Sequence, residues 1–280
     1  MKKRKLEKGK LQKFEAFLRN EERSSATVEK YMRDVQSFAE FIGTDEVSKS
    51  SVMAYKSKLG NSYAVASANS MLAALNSFLR FCGWHELCIR QFKVQRQAFC
   101  SEEKELTRAE YIRLLDAAKK KKNERLNLII QTICATGIRV SELQYITVEA
   151  LAKGEAVVSC KGKRRRIFIV PELKKKLLRY IKEQKITSGA IFVTRSGNPV
   201  SRNNIWKEMK ALCESAHVPP SKVFPHNLRH LFARTFYGIE KDIAKLADIL
   251  GHASINTTRI YIVTTGAEHK QKMEHMRLII

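Results

Sequence analysis

The run His226-Asn-Leu-Arg-His230 places an imidazole and a guanidinium three residues apart. On a helix, positions i and i+3 share a face, and Pro225 just before the run suits a helix start. His226 and Arg229 would then aim at one spot, and a cation with an imidazole there makes an oxyanion or phosphate site. Two other readings stand beside this one. His226 and His230, at i and i+4, could ligate zinc as in HExxH enzymes, although position 227 carries no glutamate and no third ligand cluster is evident. The plain alternative is a surface helix with solvated charges.

Two further segments carry comparable groups. In Ala135-Thr-Gly-Ile-Arg-Val-Ser-Glu-Leu143, Gly137 closes an apolar helix and Arg139 opens the next. A cation at a helix start opposes the dipole, whereas an anion is welcome there. Arg139 with a bound phosphate satisfies both, and a simple pair between Arg139 and Glu142 is the rival. In Leu250-Gly-His-Ala-Ser-Ile-Asn-Thr-Thr-Arg-Ile-Tyr261, Gly251 ends one helix and Ser254 can cap another. His252 falls in the tight link, and Tyr261 is expected about two turns into the second helix. Taken singly, a histidine or tyrosine in such a place is ordinarily a packing residue.

Together, the three segments ATGIRVSEL, HNLRH and LGHASINTTRIY resemble the signature segments of the tyrosine recombinase (phage integrase) family. Their order matches, as does the nine-residue gap from His252 to Tyr261, and the resemblance runs over roughly residues 105–265. Within the family the chain looks like the compact Xer-type and transposon integrases. The resemblance implies roles by position. Tyr261 matches the nucleophile, Arg139 the first arginine, His226 and Arg229 the HxxR pair, and His252 the histidine before the nucleophile. Lys161, opening a basic turn after a strand, matches the hairpin lysine, with Lys163 two residues away. Glu142 matches the acidic residue that supports the site. After Tyr261 stands Ile-Val-Thr-Thr, where many relatives carry another histidine.

The chemistry so implied is transesterification at a DNA phosphate through a 3′-phosphotyrosine link. A free phenol ionises only near pH ~10, so such a nucleophile needs help from its surroundings. Arg139 and Arg229 would clamp the non-bridging oxygens, with His252 as a further donor. Lys161 would protonate the leaving 5′-oxygen, and His226 would assist as acid or base. The covalent link keeps the phosphodiester energy, which agrees with the lack of a P-loop motif. Cations here take the part that metals play in many nucleases, so neither cofactor nor metal is expected.

These groups need elements to hold them. Residues 8–90 read as helices alone, at 8–20, Ser25–Gly43, 47–59 and 64–82, from apolar residues at helical spacing. Residues 91–106 lose that period, and Thr107-Arg-Ala-Glu110 reads as a capping box. Beyond it, helices are expected at 108–121, 124–136, 172–184, 201–216, 226–237, 240–250 and 255–263. Strands are expected at 155–160, 166–170 and 190–194, with a basic turn over Lys161–Arg165. The expected fold is therefore α+β and multidomain. An all-α core-binding domain spans 1–95, a linker 96–106, and a mainly α catalytic domain with a small antiparallel sheet 107–280. In 267–280, Met273, Met276 and Ile280 make an apolar stripe. That last helix would pack on its own domain or dock on a neighbouring copy.

Charge agrees with a polyanionic partner. The 280 residues hold 52 Lys and Arg against 28 Asp and Glu, a formal +24. Both halves share it, with 19 basic against 12 acidic residues up to 104 and 33 against 16 beyond. The expected partner is double-stranded DNA, with self-assembly to a tetramer on paired sites and room for accessory DNA-binding proteins. The basic N-terminus lacks an apolar signal region and no stretch is long enough to span a membrane, so a cytoplasmic protein is expected. Its six scattered cysteines make no CxxC pair. A topoisomerase-like relaxing enzyme and a catalytically idle DNA-binding regulator are the rival functions.

Overall fold

A computed structural model describes residues 4–6, 8–94, 105–160, 163–261 and 274–275. The chain divides into two units, Met1–Arg96 and Gln97–Ile280. The linker expected at 96–106 lies mostly outside the described residues, and so does nearly all of the tail helix expected at 267–280.

In the first unit every regular element described is helical: α1 (Lys8–Asn20), α2 (Ser25–Ile42), α3 (Lys49–Ser62), α4 (Val65–Phe81) and a short 3₁₀ turn at His85–Leu87. The helical spacing in α2 does what it should, since Val28, Val35, Phe38 and Ile42 are all buried. α3 begins at a capping box between Ser48 and Ser51. One cluster gathers Phe38, Tyr55, Leu72 and Leu75, and another packs Phe14 edge-on against Phe78 with ring centroids 5.2 Å apart.

The second unit is mostly helical around one small sheet. α5 (Arg108–Lys120) starts at the Thr107–Glu110 capping box. α6 (Glu124–Thr136) is its central helix, burying Leu126, Ile129, Ile130 and Ile133. A 3₁₀ segment, Val140–Tyr145, leads to α7 (Val148–Lys153), a helix the sequence pattern did not announce. Strands β1 (Glu155–Cys160) and β2 (Lys163–Phe168) pair antiparallel, Glu155 opposite Phe168 and Val158 opposite Arg165. Then come α8 (Pro171–Glu183), α9 (Arg202–Lys210), α10 (Cys213–Ala216), α11 (Pro225–Glu240), α12 (Ile243–Leu250) and α13 (Ile255–Arg259).

Several expectations need correcting. The basic stretch 163–165 is strand, not turn, and its side chains alternate. Arg164 and Arg166 are exposed while Arg165 and Ile167 face inward. Residues 190–194 form only isolated bridges, Thr147 with Ala190 and Val193 with Pro199, and among the described residues no third strand joins the sheet. The helix expected over 201–216 breaks after Lys210 into α9 and α10. α12 begins late because Asp242 caps it, accepting from the amides of Ala244 and Lys245. α13 stops at Arg259, so Tyr261 lies in the turn beyond it rather than inside a helix.

Candidate active site

Backbone geometry sets the positions first. α6 ends at Gly137, whose φ of +62° is the left-handed conformation that glycine adopts freely. A side chain there would also collide with the Phe232 ring. This turn aims Arg139 and the 3₁₀ segment back toward α11. α12 ends in the same way at Gly251, with φ +65°. Its capping bond runs from the His252 amide to the Ala247 carbonyl at 2.9 Å, which fixes where His252 starts.

Three guanidinia then meet the end of α12. Ile249 O accepts from Arg165 Nη1 at 2.7 Å, Leu250 O from Arg229 Nη2 at 2.7 Å, and Gly251 O from Arg139 Nη2 at 3.4 Å. These three successive carbonyls lie at the negative end of the helix dipole, where cations are stabilised. Arg229 is the deepest of the three, at 1% exposure, and also donates through Nη1 to Gly137 O. Burial and the neighbouring Arg139 pull its guanidinium down to about 10, so it stays charged at neutral pH.

Glu142 ties two of these cations together. Its carboxylate accepts from the Arg139 amide at 2.9 Å, from Arg139 Nη1 at 2.9 Å, and from Arg165 Nη2. Burial alone would raise this carboxyl, but the Arg139 amide and the two guanidinia outweigh it and hold Glu142 below the usual carboxylate range. The Arg139 amide at the helix start is thus taken by Glu142. Any anion would meet the Arg139 side chain instead.

Three imidazoles surround Tyr261, which is 3% exposed. His230 approaches to 4.3 Å between ring centroids and His226 to 6.0 Å, while His252 stacks at 5.6 Å with the ring planes 10° apart. The Tyr261 amide bonds Thr258 O at 3.0 Å. His252 is pinned at both nitrogens, with Nε2 3.0 Å from Arg229 Nη2 and Nδ1 2.8 Å from Thr258 Oγ1. A guanidinium only donates, so Nε2 is the acceptor and the proton sits on Nδ1, donated to the threonine. Burial and then Arg229 lower His252 to about 4. Burial and then His226 lower His230 to about 4. His226 is lowered by burial, then by Arg229, Arg139 and Arg202.

The His226 and His230 rings lie 4.9 Å apart and both face Tyr261. Among the described residues no group of three or more His, Cys, Asp or Glu is placed to hold a metal ion. A cavity of about 370 Å³ opens on Arg139, His226 and Arg229, with Arg202 and Trp206 of α9 on its wall.

The structure therefore gathers Arg139, Glu142, His226, Arg229, His252 and Tyr261 in one place. Lys161 lies outside the described residues. The sequence reading missed Arg165, hidden in what looked like a turn, and Thr258, the partner of His252. It weighed His230 only as a metal ligand. A period-two reading of 164–167 would have pointed Arg165 inward.

Comparison with known proteins matches residues 104–267 to the Phage integrase family and residues 11–86 to the Phage integrase, N-terminal SAM-like domain. Tyrosine recombinase XerA of Thermococcus kodakarensis is 30% identical over 279 residues, covering 96% of this chain and 95% of its own. Among solved structures, a lambda integrase dimer bound to a COC′ core site superposes with a TM-score of 0.74 at 18% identity, covering 90% of this chain and 94% of that one. The Tn1549 transposon integrase in complex with transposon right end DNA gives 0.70 at 16%, covering 96% and 99%. The two domain matches span both units, and the arginines, histidines and tyrosine of the three signature segments converge on one site: the chain belongs to the phage integrase family.

Proposed function

We propose that this chain is a site-specific DNA recombinase that cuts and rejoins strands through Tyr261. The observation that carries the reading is the cavity lined by Arg139, His226 and Arg229, beside a tyrosine ringed by His226, His230 and His252. In this reading a scissile phosphate sits against the Arg139 and Arg229 guanidinia, whose donors stabilise the charge that builds on the non-bridging oxygens. The Tyr261 oxygen attacks phosphorus, the bond to the 5′-oxygen breaks, and Lys161 supplies that oxygen with a proton. His226 takes the phenol proton. A 5′-hydroxyl from a partner strand then attacks the phosphotyrosine, releases Tyr261 and seals the new junction.

Glu142 holds Arg139 without reacting. The Tyr261 phenol hydrogen-bonds Arg229, which lines the cavity. His252 must gain a proton at Nε2 before it can donate to a bound phosphate.

The partner is duplex DNA, favoured by the +24 net charge and by neighbours solved on their DNA sites. A dimer on its site, as for the lambda integrase neighbour, would pair into a tetramer, with 267–280 docking between copies and accessory DNA-binding proteins setting direction. A DNA substrate favours a cytoplasmic chain. Among the described residues no helix is long and apolar enough to cross a membrane.

The test uses two circular plasmids, one carrying paired copies of repeats that flank the gene and one without them. A recombinase excises or inverts the segment between repeats and leaves the bare plasmid supercoiled. Relaxation of the bare plasmid with no strand exchange would favour a topoisomerase-like activity.

A further inference from the structure

Arg165 is the one cation of the cluster that no part of the cleavage scheme uses. It reaches the cluster from β2, with its side chain mostly enclosed. One arm of its fork donates to Ile249 O at 2.7 Å, and the other to the Glu142 carboxylate. Its first partner therefore belongs to the helix end that carries His252, and its second to the residue that grips Arg139. Its alkyl stem lies directly under the next turn, since a Cβ added to Gly251 would fall 2.5 Å from Arg165 Cδ.

The contact joins three pieces of chain that are far apart in sequence: the sheet, the 3₁₀ segment after Arg139 and the end of α12. A planar fork suits that task because it bonds two acceptors in fixed directions at once, which an ammonium cannot do. Lys161 stands only four residues before Arg165 in the chain.

We propose that Arg165 is a positioning residue for strand cleavage. It holds Glu142 and the α12 end in one geometry, and so sets where Arg139 and His252 meet the scissile phosphate. This rests on the reading of Arg139 and His252 as groups that hold that phosphate. Arg165 is bonded to Glu142 and to the Ile249 carbonyl, and it acts on the scissile phosphate through those two neighbours.

The test compares wild type, Arg165→Lys, Arg139→Ala and the double variant. Covalent adduct formation is followed in single turnover on a nicked duplex, with duplex affinity and melting temperature measured alongside. The same rates are taken on a duplex whose scissile linkage is a neutral methylphosphonate. Arg165→Lys keeps the charge but loses the fork. It should cut about 100-fold more slowly, the scale of a small misplacement of reacting groups, with affinity and melting little changed. Its defect should shrink on the methylphosphonate together with that of Arg139→Ala, because the charge that both serve is gone. The two defects should add to less than their product. A fold-wide defect would slow both substrates equally.

Gly251→Ala, which pushes on the Arg165 stem from the other side, should repeat the pattern and serves if Arg165→Lys folds poorly. Cutting by Arg165→Lys at the wild-type rate, or a defect of equal size on both substrates and fully additive with Arg139→Ala, would overturn the proposal. Normal cutting by Arg139→Ala would instead remove the phosphate-holding reading beneath it.

Discussion

Arg229 Nη2 lies 3.0 Å from His252 Nε2, and the same ring donates from Nδ1 to Thr258 Oγ1. One cation and one threonine thus fix the tautomer of a histidine that stacks on Tyr261. In the free protein the site is arranged around itself, with carbonyls and imidazoles taking donors that a phosphate would claim.

The tautomer is directly measurable. Nitrogen NMR of the free protein at pH 7 should show His252 neutral, with Nδ1 protonated and Nε2 bare. Thr258→Val removes the Nδ1 acceptor and should mix the tautomers. A protonated Nε2 in the free wild-type protein would contradict the arrangement.

The histidines also predict how stability depends on pH. Folded His230 and His252 titrate at about 4, below the ~6.5 of an unfolded histidine. Above about 6.5 both states are neutral and these groups contribute no slope. As pH falls from there toward 4, the unfolded chain takes up protons that the folded chain refuses, so stability declines across that window. Urea melts from pH 7.5 to 4.5 should show the decline, and His230→Gln should flatten it. A wild-type profile rising toward acid would contradict the buried, neutral imidazoles.

The two arginines of the cavity should differ when removed. Arg139 is partly exposed, and Glu142 keeps Arg165 after its loss. Arg139→Ala should therefore slow cutting severely while the melting temperature stays near wild type. Arg229→Ala orphans the carbonyls of Gly137 and Leu250, each costing about 1–3 kcal/mol when left unpaired in the interior. It should lose activity and also melt several degrees lower. Equal melting temperatures for the two variants would count against this difference in burial.

Salt reports on the phosphate contacts. The logarithm of duplex affinity should fall with the logarithm of salt concentration by about 0.9 per phosphate neutralised. A flat response would mean that the +24 charge does not face DNA.

Much of this was legible before folding because local rules decide it. The Thr107–Glu110 capping box, Gly137 and Gly251 mark helix ends from their own residue types. The three segments carry Arg139, His226, Arg229, His252 and Tyr261 in readable order. What escaped depends on partners distant in sequence. Arg165 sits among five successive cations at 163–166 and 161 broken only by Gly162, and only Glu142 and the α12 end make it different from Arg164 and Arg166. Ile191 and Phe192 are buried like strand residues, yet their neighbours offer single bridges rather than a ladder. α13 stops early because the Tyr261 amide reaches back to Thr258 O, three residues away, closing a tighter turn than an α-helix makes. That turn packs Tyr261 among the histidines.

The central claim is that Tyr261 is the nucleophile that carries the DNA phosphate, and one measurement addresses it. Wild type and Tyr261→Phe are incubated with a nicked duplex carrying the recognised site, resolved under denaturing conditions, and any adduct is digested and mapped by mass spectrometry. Wild type should yield a DNA 3′-phosphate joined to the peptide that contains Tyr261. Tyr261→Phe should bind the duplex as tightly and yield none. An adduct at normal yield in the variant, or one mapped to another residue, would contradict the account.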